Sequence, residues 1–206
     1  MTALELSSLY AKGNTVGSQF REIVIGSLLG DGFLEQDGKY KRFVCCHSVK
    51  QQEYILWKFN QMNKVIPCKL NDRIWIDYRN NQKYSAIMLR SKTSPIWEKF
   101  YDLFYKDDHR MIPDNLPAII SAPILAVWIM DNGYLRSDCN AMRLNTQAYS
   151  YAQHQVILQS LEALGIKASV HRQTKYWLTY IPSSSLEALR KQVRPYILPS
   201  MKYKLA

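Results

Sequence analysis

The sequence predicts an α+β fold built twice. Two observations carry that reading: one order of helix-period and alternating segments recurs in both halves of the chain, and each half opens on an apolar helix that stops at a polar-glycine turn. The two helix ends read "EIVIGSLLGDGFL" (Glu22 to Leu34) and "ILAVWIMDNGYL" (Ile124 to Leu135). With 206 residues, 47% of them hydrophobic, the chain has material for one large or two small cores.

In the first half, the helix over 22–30 is followed by alternating "YKRFVCCHS" (Tyr40 to Ser48), read as a strand. "KQQEYILWKFNQM" then reads as a helix. "RIWIDYRNNQKYSAIMLRS" (Arg73 to Ser91) reads as two strands around a turn at Asn80-Asn81, because Asn tolerates positive φ in tight hairpins. Ser94 and Pro95 open the next helix, Ser as N-cap and Pro at the first helical position.

The second half repeats the order. A helix from about Ala122 to Asp131 precedes strand-like "AMRLNTQ" (Ala141 to Gln147), and Ser150 with Gln153 forms a capping box for a helix stopped by Gly165. Two strands span Lys167 to Ile181, and Ser184 with Glu187 reads as the cap of a last helix. An extra strand is expected between each opening helix and its assigned strand. This organisation predicts an N-terminal arm (1–18), a first subdomain (19–113), a linker (114–121) where prolines interrupt the pattern, and a second subdomain (122–206).

Twenty-seven Lys and Arg against seventeen Asp and Glu give a formal charge of +10, which favours an anionic partner, nucleic acid first. The basic residues are interspersed with aromatics, which suits a folded binding surface better than a disordered arm or a membrane patch. The four cysteines lack zinc-ligand spacing and read as buried thiols of a reducing compartment. No apolar run approaches the ~20 residues of a membrane span, so the expectation is an intracellular protein without a membrane partner, in cytoplasm or an organelle.

A carboxylate at a helix C-terminus opposes the partial negative charge of the unpaired carbonyls. Asp31 sits at such a place. A divalent cation held between carbonyls and carboxylate would resolve the conflict and make a phosphodiester-cleaving site; a plain Asp-Gly turn is the alternative. Gly26 and Gly30, one turn apart, leave a helix face bare enough for another backbone to approach.

"VIGSLLGDG" (Val24 to Gly32) and "LAVWIMDNG" (Leu125 to Gly133) resemble the two motifs of a single-chain LAGLIDADG homing endonuclease. "HSVKQQEYILW", "IPDNL", "RLNTQAYS" and "PYILPSMKYKL" extend the resemblance over roughly Gln19 to Leu205. It implies a monomer with a duplicated αββαββα fold of pseudo-twofold symmetry, the motif helices at the interface and a β-sheet saddle over double-stranded DNA. It also implies Mg2+ as the cofactor, with Mn2+ or Ca2+ as other occupants. The residue before each motif glycine, Asp31 or Asn132, is the implied metal-binding group, with Gly30 and Asp131 beside them.

The resemblance places Lys204 near a metal, where an ammonium stabilises developing negative charge, and makes Lys92 the nearest first-half candidate. Ser48 and Gln147 are the implied water- or metal-organising polar residues, although the family often has Gln-Ser where this chain has His47-Ser48. Lys39, Lys41, Arg42, Arg73, Arg79, Lys83, Arg90, Arg136, Arg143, Arg172 and Lys175 are the expected DNA contacts, with a solvated strand edge the alternative for any one of them.

Aligning Gly32 with Gly133 pairs Asp31 with Asn132. An amide offers a metal a neutral oxygen, lacks the charge a hard cation prefers and cannot act as a base. The expectation is therefore DNA recognition with cleavage that is weak, reduced to nicking or absent. A non-cleaving binder, such as an intron RNA maturase or a DNA-binding regulator, is the second reading, and a basic ribosome-associated protein the third.

Overall fold

The computed structural model describes residues 15–79 and 81–205. Residues 1–14 of the expected arm and Asn80 of the expected turn lie outside them. The chain forms two compact units that divide after Tyr101.

The first unit runs α1 (Thr15–Leu29), β1 (Phe33–Asp37), β2 (Tyr40–Ser48), α2 (Gln52–Met62), β3 (Cys68–Asp77) and β4 (Gln82–Ser91), and α3 (Ile96–Phe104) carries the chain past Tyr101. Its sheet has the order β1-β2-β4-β3 with antiparallel neighbours. Strand alternation sorts the sheet into two faces. Leu34, Phe43, Cys45, His47, Ile87, Leu89 and Ser91 fall on one face and are buried. The opposite face carries Glu35, Arg42, Lys69, Arg73 and Arg90, none of them buried.

An aromatic cluster holds helices to the buried face: Trp97 lies 5.8 Å from Phe20, 5.8 Å from Phe43 and 5.9 Å from Phe100, ring centre to ring centre. Each such side chain contributes about 1.5–3 kcal/mol by leaving water. The Trp97 indole N–H donates to the Lys92 carbonyl at 3.1 Å, which leaves no orphan donor. Ser94 accepts from Ile96 N–H at 3.4 Å and starts α3 as expected. Asn81 has φ 55°, the left-handed conformation its residue type tolerates.

The second unit opens with a short hairpin, β5 (Tyr105–Lys106) and β6 (His109–Arg110), followed by α4 (Leu116–Ile119). Residues 102–121 thus belong by compactness to the second unit, whereas the sequence placed part of them in the first subdomain and part in a linker. Pro117 and, just beyond, Pro123 start helices instead of breaking the chain, lying in the first turns of α4 and α5 (Ala122–Asn132), while Pro113 stands in the coil before α4.

After α5 come β7 (Gly133–Leu135), β8 (Met142–Leu144), α6 (Tyr151–Ala163), β9 (Ser169–Gln173), β10 (Tyr176–Ile181) and α7 (Ser183–Val193). The sheet order, β7-β8-β10-β9, repeats that of the first unit. The expected extra strands are β1 and β7. Both bonds of the Ser150/Gln153 capping box form, and Gly165 takes φ 74° beyond the helix end.

Two expectations are corrected. Ser184 and Glu187 do not cap α7, because Pro182 takes the N-cap place and the helix begins at Ser183, two residues before a Ser184 cap would start it, with no side-chain cap bond. Cys139 is exposed, whereas Cys45 is buried and Cys46 and Cys68 lie between; none of the four is held in a disulfide among the described residues. Burial pushes the Cys68 thiol up to about 12, so it stays protonated and inert.

Candidate active-site motifs

The first motif ends in a tight return. Gly32 N–H donates to Ser27 O at 2.7 Å, folding the chain back on the last turn of α1. A Cβ at Gly32 would lie 2.9 Å from that oxygen and 2.8 Å from the Phe43 ring, so only glycine fits. The return throws Asp31 outward, its side chain 43% exposed. The Asp31 carboxylate Oδ2 lies 3.8 Å from Nδ1 of the buried His47. On the other side of the ring, His47 Nε2 is 3.2 Å from Nζ of Lys58. Lys58 is fully buried, with its ammonium 4.5 Å from the centre of the Tyr54 ring.

The second motif end has the same glycine and different chemistry. Gly133 N–H donates to Ile129 O, and a Cβ there would meet that oxygen at 2.6 Å. Asn132 Nδ2 donates to Asn145 O at 3.2 Å, while Asn145 N–H donates to Asn132 O at 3.1 Å. A carbonyl only accepts, so the Asn132 amide N must face Asn145. Lys204 Nζ donates to Gly133 O at 2.9 Å and to Asp131 O at 3.5 Å. An ammonium on the last carbonyls of a helix is favourable by about 0.3–1 kcal/mol.

Behind Asn132 the buried polar groups are neutral. His154 Nδ1 donates to Ser150 O at 2.8 Å, so Nε2 accepts from Thr146 Oγ1 at 2.9 Å. Thr146 Oγ1 also takes the Thr179 N–H at 2.9 Å. Burial pushes the His154 imidazole below its ordinary pKa, against the pull of the Ser150 bond.

These donor sets differ in what they suit. Asp31 offers an accessible, charged oxygen beside the end of a helix, the hard donor that Mg2+, Mn2+ or Ca2+ prefers. Asn132 offers a neutral Oδ1 next to a helix end already occupied by the Lys204 ammonium. The residues fit a divalent cation at Asp31 and fit one poorly at Asn132.

The remaining predicted residues divide by location. Lys92 is exposed and follows β4 beyond the Arg90↔Val44↔Phe33 register, whereas Asp31 lies on the opposite side of that register. It lines a cavity of about 630 Å³ with Arg42, Lys69 and Arg90. Ser48 accepts from Lys50 N–H at 3.3 Å as the cap of a 3-10 turn (Val49–Gln51), and Gln147 is half-buried in a turn after β8. Asp131 is only 8% exposed.

Among the basic residues, Lys39, Arg79, Lys175 and Arg136 stand in turns and loops, outside the strands, because each follows a strand end. Several are paired with acids: Arg42 with Glu35 and Asp37, Arg90 with Glu35, Lys41 with Glu98, Arg79 with Asp77 and Arg136 with Asp138. Hydrogen bonds from Arg136 hold the Asp138 carboxyl down at about 2. Lys41 and Lys83 share the parity of the buried sheet face, and Arg42, Arg73 and Arg90 that of the outer one. In the second sheet Arg143 pairs with Tyr134 and Tyr180, and Arg172 lies 5.7 Å from the centre of the Trp177 ring.

The same arrangement of helix, return and sheet in both units is matched by the sequence as a whole: residues 21–189 match the LAGLIDADG DNA endonuclease family. The chain belongs to this family. Among relatives of this LAGLIDADG protein, a cytochrome b mRNA maturase bI2 of Debaryomyces hansenii is 28% identical over 191 residues, covering 89% of this chain and 72% of the relative. The DNA endonuclease I-ChuI of Chlamydomonas applanata is 26% identical over 208 residues, 91% of this chain and 94% of that one. The structure of the homing endonuclease I-WcaI bound to its DNA recognition sequence superposes with a TM-score of 0.83 at 20% identity, covering 100% of this chain and 93% of that one. The α+β fold is thus that of a LAGLIDADG homing endonuclease. No helix among the described residues is long and apolar enough to cross a membrane.

Sequence reasoning passed over His47, Lys58 and the Thr146–His154–Thr179 group. One signal was readable for Lys58: it shares the helical stripe of Tyr54, Ile55 and Met62, where a lysine is out of place.

Proposed function

We propose that this LAGLIDADG protein recognises a specific double-stranded DNA site and cleaves it with a divalent cation held at Asp31, and that the Asn132 motif cuts poorly, so that the main product is a nick. The observation that carries the proposal is the contrast between an exposed carboxylate at one motif end and, at the other, an amide that donates to Asn145 O beside a Lys204 ammonium. When bound, the cation supplies Lewis-acid stabilisation of the phosphate and an activated water. Asp31 binds it; Asn132 contributes at most a neutral oxygen. Lys204 places positive charge where negative charge develops at the second motif. Arg42, Arg73, Arg90 and Arg143 provide phosphate contacts and part of the base readout.

The maturase name of the Debaryomyces hansenii relative favours a second reading, in which the same surface holds intron RNA.

The test uses supercoiled plasmid carrying a site selected from randomised duplexes, incubated with Mg2+. The chain as written should give nicked circles, Asn132→Asp should give linear DNA, and Asp31→Asn should lose nicking by about two orders of magnitude or more. Equal linearisation by the chain and its Asp variant would overturn the assignment of Asn132. Preference for a folded intron RNA over every duplex would favour the maturase reading.

A further inference from the structure

We propose that Lys58, acting through His47, is a positioning residue for the Asp31 carboxylate. The inference rests on the reading of Asp31 as the metal-binding group.

Lys58 is unusual on physical grounds. It occupies the buried stripe of α2 and is 0% exposed, so its ammonium has left water, a placement that costs free energy unless the charge is met by polar partners. A methionine would fill the same volume without that cost. The ammonium faces the Tyr54 ring at 4.5 Å and His47 Nε2 at 3.2 Å. An ammonium has donors and no acceptor, so Nε2 must accept and the ring proton of a neutral His47 must sit on Nδ1. Nδ1 is the atom 3.8 Å from Asp31 Oδ2. The buried lysine therefore selects the tautomer that turns an N–H toward the carboxylate, restrains its rotation and leaves the other oxygen to bind a cation. Partners behind a metal-binding side chain act in this way, fixing tautomer and orientation.

The other unit supplies an internal comparison. With Gly32 set on Gly133, the strand registers Phe33↔Val44 and Gly133↔Leu144 set His47 on Thr146, and the helix starts at Gln52 and Tyr151 set Lys58 on Ile157. Where the motif carries Asn132, the positions behind it carry a hydroxyl and an alkyl group, and the buried histidine is held by Ser150 and Thr146 without a charge. The lysine and histidine accompany the carboxylate and are replaced together where the carboxylate is replaced.

The experiment reads the tautomer directly. In protein labelled with 15N at histidine, long-range proton–nitrogen correlations should show His47 as the Nδ1–H form, the signal being assigned by its loss in His47→Asn. In Lys58→Met, with Lys58→Leu made alongside and both checked for cooperative thermal unfolding, that signal should move toward the Nε2–H form. Mn2+ binding, followed by electron paramagnetic resonance, should weaken about 10-fold in both. His47→Asn, whose amide N–H replaces that of Nδ1, should keep Mn2+ affinity near that of the unaltered chain, whereas His47→Gln should weaken it as the lysine variants do. An Nε2–H signal in the unaltered chain, or tautomer and Mn2+ affinity unchanged in both lysine variants, would overturn the proposal. If Asp31→Asn binds Mn2+ as well as the unaltered chain, the metal assignment fails by itself, and the tautomer still decides whether Lys58 orients His47.

Discussion

The two motif ends share a backbone and differ in charge. Each return is closed by a glycine whose Cβ would strike a helix carbonyl, so the turn geometry is fixed by sterics in both. At the first, an exposed carboxylate is backed by a buried imidazole and a buried ammonium. At the second, an amide bonds to a strand carbonyl, a lysine caps the helix and a neutral threonine–histidine pair lies behind. The comparison shows that a duplicated scaffold preserves the turn by excluded volume while leaving the chemistry at its tip free to diverge. On the proposed function, the amide at position 132 in place of a carboxylate leaves that end a poor cation site.

The largest expected effect comes from equalising the two ends. Asn132→Asp should convert nicking into linearisation in Mg2+, and in chelator the same variant should lose about 1 kcal/mol of stability. The carboxylate cannot donate to Asn145 O and adds negative charge at a helix end. A melting temperature unchanged or raised in chelator would break the comparison.

Removing the neutral group behind Asn132 is next. Thr146→Val leaves His154 Nε2 without its donor and the Thr179 N–H without its acceptor, at an expected cost of about 1–3 kcal/mol in urea unfolding. Nicking at the Asp31 end should be unaffected.

A smaller effect sorts the cations by sheet face. Arg73→Ala should reduce the slope of log affinity against log salt by about 1, the loss of one phosphate contact. Lys41→Ala should leave it unchanged, since Lys41 is bound to Glu98 and lies 3.9 Å from the centre of the Tyr101 ring. Equal slopes for both variants would remove the distinction between faces.

The smallest effect is a pH dependence confined to the second unit. The folded pKa of His154 lies below its ordinary value of 6.5, so the unfolded chain binds a proton that the folded chain refuses. Its contribution to stability is complete above pH 6.5 and is lost as pH falls toward the folded value, with a slope of at most about 1.4 kcal/mol per pH unit. Urea midpoints at pH 7.5 and 5.5 should differ less in His154→Asn than in the unaltered chain.

Much of this protein was legible from residues alone, for local reasons. Hydrophobic period set the two copies of helix, strand, helix, paired strands and helix, and left the extra first strand of each as an expectation without a pattern of its own. The Ser150/Gln153 box, the Ser94 start and the Gly165 stop are decided within a few residues of chain, so sequence suffices for them. The pairing of Asp31 with Asn132 follows from aligning two glycines. Ser184 misled because the strand-to-helix corner at Pro182 starts α7 two residues earlier. Lys41 and Lys83 were grouped with Arg42 and Arg73 because the register that assigns each to a face is set by partners far along the chain. Register also separates Lys92 from Asp31 and brings His47 beside Asp31, while packing of α2 on the sheet sets Lys58 behind it. By itself the sequence determined the elements, the glycine returns and the identity of the groups at their tips, all short-range properties of the chain. Only the tertiary structure decided which buried groups stand behind those tips, because contacts between a strand and a helix depend on pairing and packing that no local pattern encodes.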